Sequence, residues 1–176
     1  MKKLLLNAAL AAMVAIAGAV FSSEPIGPMH MTSEAQLTGQ NRVGLVPEGL
    51  RIDSYSTGVF TDGLLAGATY DGIDYVLIRH DGVAVLYGRY YAVVPDGATV
   101  AFTLRGFMGE PTPGLLEAML DPAYEPPDVD IPWHGAFWFE TMAPQYAFLN
   151  HTIFAGTATL NLATGVLLGT LRPIAE

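Results

Sequence analysis

Chemistry in this chain depends on carboxylates, histidines, tyrosines and arginines, because it has no cysteine and its only lysines are Lys2 and Lys3. Thiolate nucleophiles are therefore excluded, and so is Schiff-base chemistry beyond the N-terminus. No Gly-x-Ser-x-Gly motif marks a serine nucleophile. General acid–base catalysis remains as the enzymatic option, with Asp74, Glu140 and His151 as candidate groups.

An arginine between two tyrosines is the most distinctive binding feature. Along the strand expected at 83–94, the odd-numbered residues share one face, which carries Tyr87, Arg89 and Tyr91. If this face lines a barrel, the guanidinium and the amide of Asn150 would orient a ligand's carboxylate or carbonyl. If it faces solvent, these residues are ordinary surface groups and the even-numbered face is the core. The pattern alone leaves both arrangements open.

Aromatic residues crowd the segment 133–148, which includes Trp138 and Tyr146. Such a cluster usually belongs to a core, but it would also suit the apolar lining of a ligand pocket. The four histidines lie in separate segments and lack the i, i+4 spacing of a helical zinc site. We predict no metal and no cofactor.

The composition favours one folded domain with few charges. The chain has 176 residues, of which 51% are hydrophobic and 14% charged, so it is long and apolar enough to bury a core. Six arginines face seventeen acidic residues once the two leading lysines are set aside, a net charge of −11. Nucleic acid is excluded as a partner, since its recognition requires a basic patch.

The N-terminus has the anatomy of a secretory signal peptide. Two lysines precede an apolar run, and small residues follow at 17–19, which predicts cleavage after Ala19 and a secreted or periplasmic protein. An uncleaved anchor is the alternative; after cleavage we expect no stable membrane insertion. Residues 20–48 are expected to form a tether and lead-in with a short strand near Ala35–Thr38.

Alternating polar and apolar residues predict strands through the rest of the chain. Asp-Gly and Pro-rich turn signals recur about every ten residues, as in antiparallel sandwiches and barrels. We therefore expect an all-β domain over 49–176, a closed antiparallel barrel of about eight to nine strands. The predicted strands include Leu50–Thr61, Leu64–Thr69, the hairpin arms Asp74–Arg79 and Val83–Val94, Thr99–Arg105, Gly135–Met142, Ala147–Leu160 and Val166–Pro173.

The segment Met108–Pro132 interrupts this rhythm with six prolines and six acidic residues. Within it, Gly114–Leu120 suits one short helix. A long insertion in a compact β domain is often functional, so we consider a lid over a pocket, with a solvated surface loop as the alternative.

Several motifs, in order, resemble an uncharacterised family known as domain of unknown function 3237 (DUF3237). They are the hairpin DYVLIRHDGVAVLYGRYYAVVPDGATV and the later segment YAFLNHTIFAGT. The resemblance spans about Leu50–Leu171 and implies a closed, lipocalin-like antiparallel barrel, with no activity assigned. The matching residues are Asp74, Asp81, Gly82, Arg89, Tyr90, Tyr146, Leu149, Asn150, Gly156 and Thr157.

Three positions depart from the family pattern. Tyr75 and Phe148 replace tryptophans, and Tyr87 replaces an acid two residues before Arg89. Any family chemistry that pairs this acid with the arginine would be absent from this chain.

Three functions fit these residues. The first is binding of a small, mainly apolar molecule with one polar or acidic group, held by Tyr87, Arg89, Tyr91 and Asn150 and enclosed by Trp138 and Tyr146. The second is an enzyme, a cyclase, isomerase or hydrolase, on the same barrel. The third is a structural envelope protein with a filled barrel. The oligomeric state is not encoded in any pattern we find.

Overall fold

Eight antiparallel strands close into one barrel in the computed structural model, which describes residues 29–174. Each strand pairs with its sequence neighbours, and β1 pairs with β8 to complete the ring. The strands are β1 (Met31–Val46), β2 (Gly49–Gly63), β3 (Thr69–Arg79), β4 (Ala84–Val93), β5 (Thr99–Met108), β6 (Asp130–Glu140), β7 (Ile153–Asn161) and β8 (Val166–Pro173). One α-helix, α1 (Leu115–Leu120), and one 3-10 helix (Pro144–His151) complete the structure. The predicted fold class is confirmed.

The barrel begins earlier than the sequence indicated. β1 lies within the segment 20–48 that was expected to be a tether, and it closes the ring through register pairs from Met31↔Leu171 to Gln36↔Val166. In its second half, residues 39–42 have no apolar side chain and Val43 and Leu45 are exposed, so no continuous apolar face marks this part of the strand. The expected strand at Ala35–Thr38 is its central part. The predicted signal peptide, residues 1–19, lies outside the described residues.

Two other predicted strands need correction. Residues 64–67 form a turn rather than a strand: Gly63 and Gly67 both have a φ of 82°, and the Ala66 amide donates to the carbonyl of Gly63. Residues 144–151 form the 3-10 helix, and β7 starts only at Ile153. The helix expected within Gly114–Leu120 is present as α1.

Strand parity defines the core. In β4 the even-numbered residues are buried and the odd-numbered residues face outward. The tight β3–β4 turn depends on Gly82, whose φ of 79° is accessible mainly to glycine. Thus the even-numbered face of β4 lines the barrel interior and the tyrosine–arginine face lies outside.

The two ends of the barrel differ. One end is closed by the turn at 64–67 and the 3-10 helix, where Leu65, Leu149 and Phe154 are fully buried. The other end, near the β3–β4 turn, is covered by the connection between β5 and β6, which carries α1. No helix within residues 29–174 has the length and apolar character needed to cross a membrane.

Candidate functional site

A cavity of about 410 Å³ opens inside the covered end of the barrel. This volume lies within the range of roughly 300–1,000 Å³ typical of small-molecule sites. Its walls are mainly aliphatic side chains from β2, β3 and β4, namely Ile52, Val76, Ile78, Ala84 and Leu86. Side chains therefore do not fill the whole barrel interior.

The connection between β5 and β6 forms the cover of this cavity. Leu115, Met119 and Tyr124 line the cavity from above, and Leu116 is buried with 4% of its surface exposed. The cover is fastened at two places. The Thr112 amide donates to the carbonyl of Gly82 at 3.1 Å, and the Arg42 guanidinium donates to the carbonyl of Met119 in α1. The segment expected to be a lid thus covers the cavity.

Asp74 and Ser54 form the polar floor of the cavity. They are directly opposed in the β2–β3 register, both point inward, and their exposed fractions are 7% and 6%. Directly opposed residues on one face of an antiparallel pair have Cβ atoms about 4.5–5.5 Å apart. A ligand group reaching this floor therefore meets a carboxyl and a hydroxyl together.

Only one oxygen of Asp74 is satisfied by the protein. The Tyr90 hydroxyl donates to Oδ2 at 2.6 Å, and Ser56 Oγ lies 3.0 Å from the same tyrosine hydroxyl. Asp74 Oδ1 is buried and has no hydrogen-bond partner among residues 29–174. A buried acceptor without a partner is costly, so Oδ1 calls for a hydrogen-bond donor that residues 29–174 do not supply.

Burial sets the protonation of this carboxyl. Loss of hydration raises the pKa of Asp74 from 3.8 to about 6, against the opposing effect of the Tyr90 hydrogen bond. The pKa of the Tyr90 phenol is raised well above 10 by burial and by the neighbouring carboxylate. Near neutral pH, Tyr90 is therefore a donor, and Asp74 can exchange a proton.

A second, smaller cavity lies on the other side of Asp74. Its volume is about 40 Å³, and Ser33, Ser56, Tyr70 and Tyr90 are among its lining residues. It exceeds the roughly 10–15 Å³ needed for one water molecule, and its walls offer several polar partners. Asp74 therefore lines both cavities, and the smaller one combines these polar groups with aromatic and aliphatic walls.

The mouth of the larger cavity is acidic. Glu110 and Asp130 line it, and no lysine, arginine or histidine of the described residues does so. Asp130 shares the side-chain amide of Asn161 with Asp128, at 3.3 and 2.9 Å. The described lining of the larger cavity thus carries carboxylates and no cationic side chain.

The predicted tyrosine–arginine floor is not in the barrel. Arg89 and Tyr91 are exposed, the latter with 62% of its surface accessible. Tyr87 stacks on Tyr75 on the outer face, with ring centroids 6.0 Å apart, and the Arg105 guanidinium lies 4.9 Å from its ring centre. Of the two arrangements that the sequence left open, the structure has the outward one for all three residues, so the ligand-binding role expected for them inside the barrel does not hold: the even-numbered side chains of β4 occupy the interior.

The remaining candidates also lie away from both cavities. Asn150 forms two hydrogen bonds with the backbone of Thr141, at 2.7 and 2.9 Å, which fasten the 3-10 helix to β6. Trp138 faces outward with 39% exposure, and Glu140 and His151 are exposed. Tyr146 packs partly against the core. Of the candidates, only Asp74 lines either of these two cavities.

Sequence reasoning missed Ser54, Ser56 and Tyr90. A signal for the serines was present, because they continue the inward face that begins with Leu50 and Ile52. Tyr90 lies on the even-numbered face of β4, the same face as Gly88, which pairs with Asp74 on β3. No group of three or more His, Cys, Asp or Glu residues within 29–174 is arranged to hold a metal ion.

The protein therefore belongs to the class of closed antiparallel β-barrels, and it has an internal cavity beneath the β5–β6 connection. The family model described as "Protein of unknown function (DUF3237)" matches residues 28–171. The chain therefore belongs to the DUF3237 family, as its hairpin motifs indicated.

Solved structures share this fold. A conserved protein of unknown function from Rhodopseudomonas palustris is 22% identical, with a TM-score of 0.64 over 86% of this chain and 100% of that one. A β-barrel-like protein from Acinetobacter baumannii AYE is 20% identical, with a TM-score of 0.65 over 88% and 99%. A protein described as an enzyme from Penicillium herquei is 18% identical, with a TM-score of 0.53 over 87% and 99%. No curated protein matches the chain.

Proposed function

We propose that this protein binds a small, mainly apolar molecule inside the barrel and holds its single polar group on Asp74. The observation that carries the proposal is Asp74, which lines the 410 Å³ cavity with 7% of its surface exposed and whose Oδ1 has no partner among residues 29–174. Aliphatic walls supply the affinity, at about 25 cal/mol per Å² of apolar surface buried. The polar floor supplies the orientation.

The anchor differs from the one suggested by the sequence. A guanidinium would have selected a ligand carboxylate, whereas Asp74 accepts a hydrogen bond and Ser54 can donate or accept one. A hydrogen bond to a charged acceptor contributes about 1.5–3 kcal/mol. We therefore expect the polar group of the bound molecule to be a hydrogen-bond donor to Asp74, not a carboxylate.

Binding is tested by calorimetry and thermal shift with naphthalene-sized probes. We expect 2-naphthalenemethanol to raise the melting temperature and to bind with one site per chain. Ala84→Leu narrows the cavity wall and should weaken binding, while Arg89→Ala on the outer face of the same strand should leave it unchanged. Weakening by Arg89→Ala with no effect of Ala84→Leu would refute an internal site.

An acid–base enzyme is the second candidate. It is favoured by the position of Asp74, the one titratable residue at the buried floor of the cavity, whose pKa of about 6 suits proton transfer near neutrality. One protein of this fold is itself described as an enzyme. The test is exchange of the acidic C–H hydrogens of 2-tetralone in D₂O. A catalyst accelerates the exchange and loses the acceleration in Asp74→Asn, whereas a pure binding protein shows none in either form.

We place this function outside the cytoplasm. The support is the leader-like sequence of residues 1–19, with its two lysines, apolar run and small-residue exit. Expression of the full chain in a bacterium, followed by fractionation and mass spectrometry, tests it. A mature N-terminus at Val20 supports export, and an intact Met1 in the cytosolic fraction contradicts it.

A further inference from the structure

The charges around the cavity determine which molecules it can accept. From the mouth to the floor, the ionisable residues that line the cavity within 29–174 are Glu110, Asp130, Tyr124 and Asp74. Each is an acid. The described lining includes no cation to compensate a buried anion, and burial of an uncompensated charge is strongly unfavourable.

The floor adds a geometric requirement. Asp74 Oδ1 is unpartnered and only 7% of the residue is exposed, while Oδ2 is already occupied by Tyr90. Ser54 stands opposite Asp74 on β2 and lines the same cavity. A hydroxyl or a neutral amine satisfies both groups, since it donates to the carboxylate and accepts from the serine, whereas an ammonium donates to the carboxylate and to the serine oxygen.

We propose that this site selects uncharged alcohols and amines, or protonated amines, and rejects carboxylates of the same shape. The proposal rests on the proposed function and deepens it by naming the class of ligand. A carboxylate on this floor would place two negative charges together in an apolar chamber, whereas an ammonium would replace part of its lost hydration with the Asp74 charge.

The experiment uses four probes of one shape, differing only in the group on the ring. They are 2-naphthalenemethanol, 2-naphthylmethylamine, 2-methylnaphthalene and 2-naphthoate, titrated into the protein by calorimetry at about pH 8, where carboxylates are ionised. The alcohol and the amine should bind at least about tenfold more tightly than 2-naphthoate. The affinity of 2-methylnaphthalene should be lower than theirs and higher than that of 2-naphthoate. Binding of 2-naphthoate as tightly as the alcohol overturns the proposal.

Two variants distinguish the effect of the Asp74 carboxylate from the effect of the overall negative charge of the protein. In Asp74→Asn the preference for alcohol and amine over 2-naphthoate should shrink at least about threefold, since the repelling charge is gone. Asp71→Asn removes a carboxylate from the exposed face of the same strand and should leave the preference intact. An equal loss of preference in both variants contradicts selection by Asp74.

Failure of the ligand class is distinguishable from failure of binding. If no probe binds, including neutral 2-methylnaphthalene, the proposed function falls and the selection with it. If 2-methylnaphthalene and 2-naphthoate bind in the cavity equally well, the barrel binds small molecules and only the charge selection is wrong.

Discussion

Gly88 makes space for the carboxyl of Asp74. The two residues are directly paired between β4 and β3, and both point into the barrel. A methyl group at position 88 would overlap Asp74 Oδ1 and lie only 2.8 Å from Leu104 Cγ. The absence of a side chain at one position thus permits a buried acid at the other.

Replacement of this glycine should therefore disturb the floor of the cavity. We expect Gly88→Ala to lower the free energy of unfolding by about 1–3 kcal/mol, the usual cost of overpacking, and to weaken ligand binding as Asp74 is displaced. Chemical denaturation and calorimetry measure the two effects. Gly39→Ala is the matched control, because a methyl there meets only Tyr55 at 3.9 Å. Equal costs at both positions would argue against a close approach at Gly88.

The Tyr90 hydroxyl should lower the pKa of Asp74. Its removal in Tyr90→Phe leaves Oδ2 without its donor, so the pKa of Asp74 should rise above about 6. A carboxyl-carbon NMR titration of the wild type and the variant measures this. Tyr91→Phe changes the neighbouring, outward-facing tyrosine and should leave the titration of Asp74 in place. An unchanged or lowered pKa in Tyr90→Phe would show that the hydrogen bond does not stabilise the charged form.

Burial of Asp74 should make stability depend on pH. Because its folded pKa of about 6 exceeds its ordinary value of 3.8, the folded protein holds a proton that the unfolded chain has lost. The contribution of Asp74 to stability is therefore fullest below pH 4 and decreases as the pH rises through about 6, by on the order of 3 kcal/mol.

Comparison of the wild type with a variant that lacks the Asp74 carboxyl isolates the contribution of Asp74 to the pH dependence of stability. The difference in unfolding free energy between the wild type and Asp74→Asn should fall between about pH 4 and pH 7. The same subtraction with Asp71→Asn accounts for loss of a surface carboxylate, and the fall for Asp74 must exceed it. A difference that rises with pH would mean that the folded protein favours the ionised carboxyl.

The cover over the cavity should become more mobile when the hydrogen bond between Arg42 and Met119 is removed. Arg42→Ala deletes the guanidinium that donates to the carbonyl of Met119. We expect faster amide hydrogen exchange over residues 115–121 and faster ligand dissociation, with little change in global stability, because Arg42 is exposed. Arg105→Ala, on the outer wall, is the control. Unchanged exchange in the cover after Arg42→Ala would mean that Leu116 and the Thr112–Gly82 hydrogen bond alone hold it.

The sequence predicted the barrel well because its signals are local. Period-two alternation and recurrent Asp-Gly turns specify strands and hairpins without knowledge of the rest of the chain. β1 was largely missed for the same reason: its outer half has no continuous apolar face, and its pairing with β8 joins residues 130 to 140 positions apart, which no local pattern reveals.

The site was harder to predict because closure of the whole barrel decides which face of each strand points inward. Both faces of β4 carry tyrosines and aliphatic residues, so hydrophobicity could not tell Tyr90, which is buried, from Tyr91, which is exposed. Asp74 was named as an acid–base candidate, but its setting depends on Gly88 and Ser54 from neighbouring strands. The cover was inferred from its prolines and length, and its contacts with the cavity follow only from the folded structure.

The most direct test is a crystal structure of the protein soaked with 2-naphthalenemethanol. The proposed function predicts the ring between Ile52, Val76 and Leu86, with its hydroxyl oxygen within hydrogen-bond distance of Asp74 Oδ1. Ligand density on the outer face beside Tyr87 and Arg89, with the interior cavity unoccupied, would contradict it.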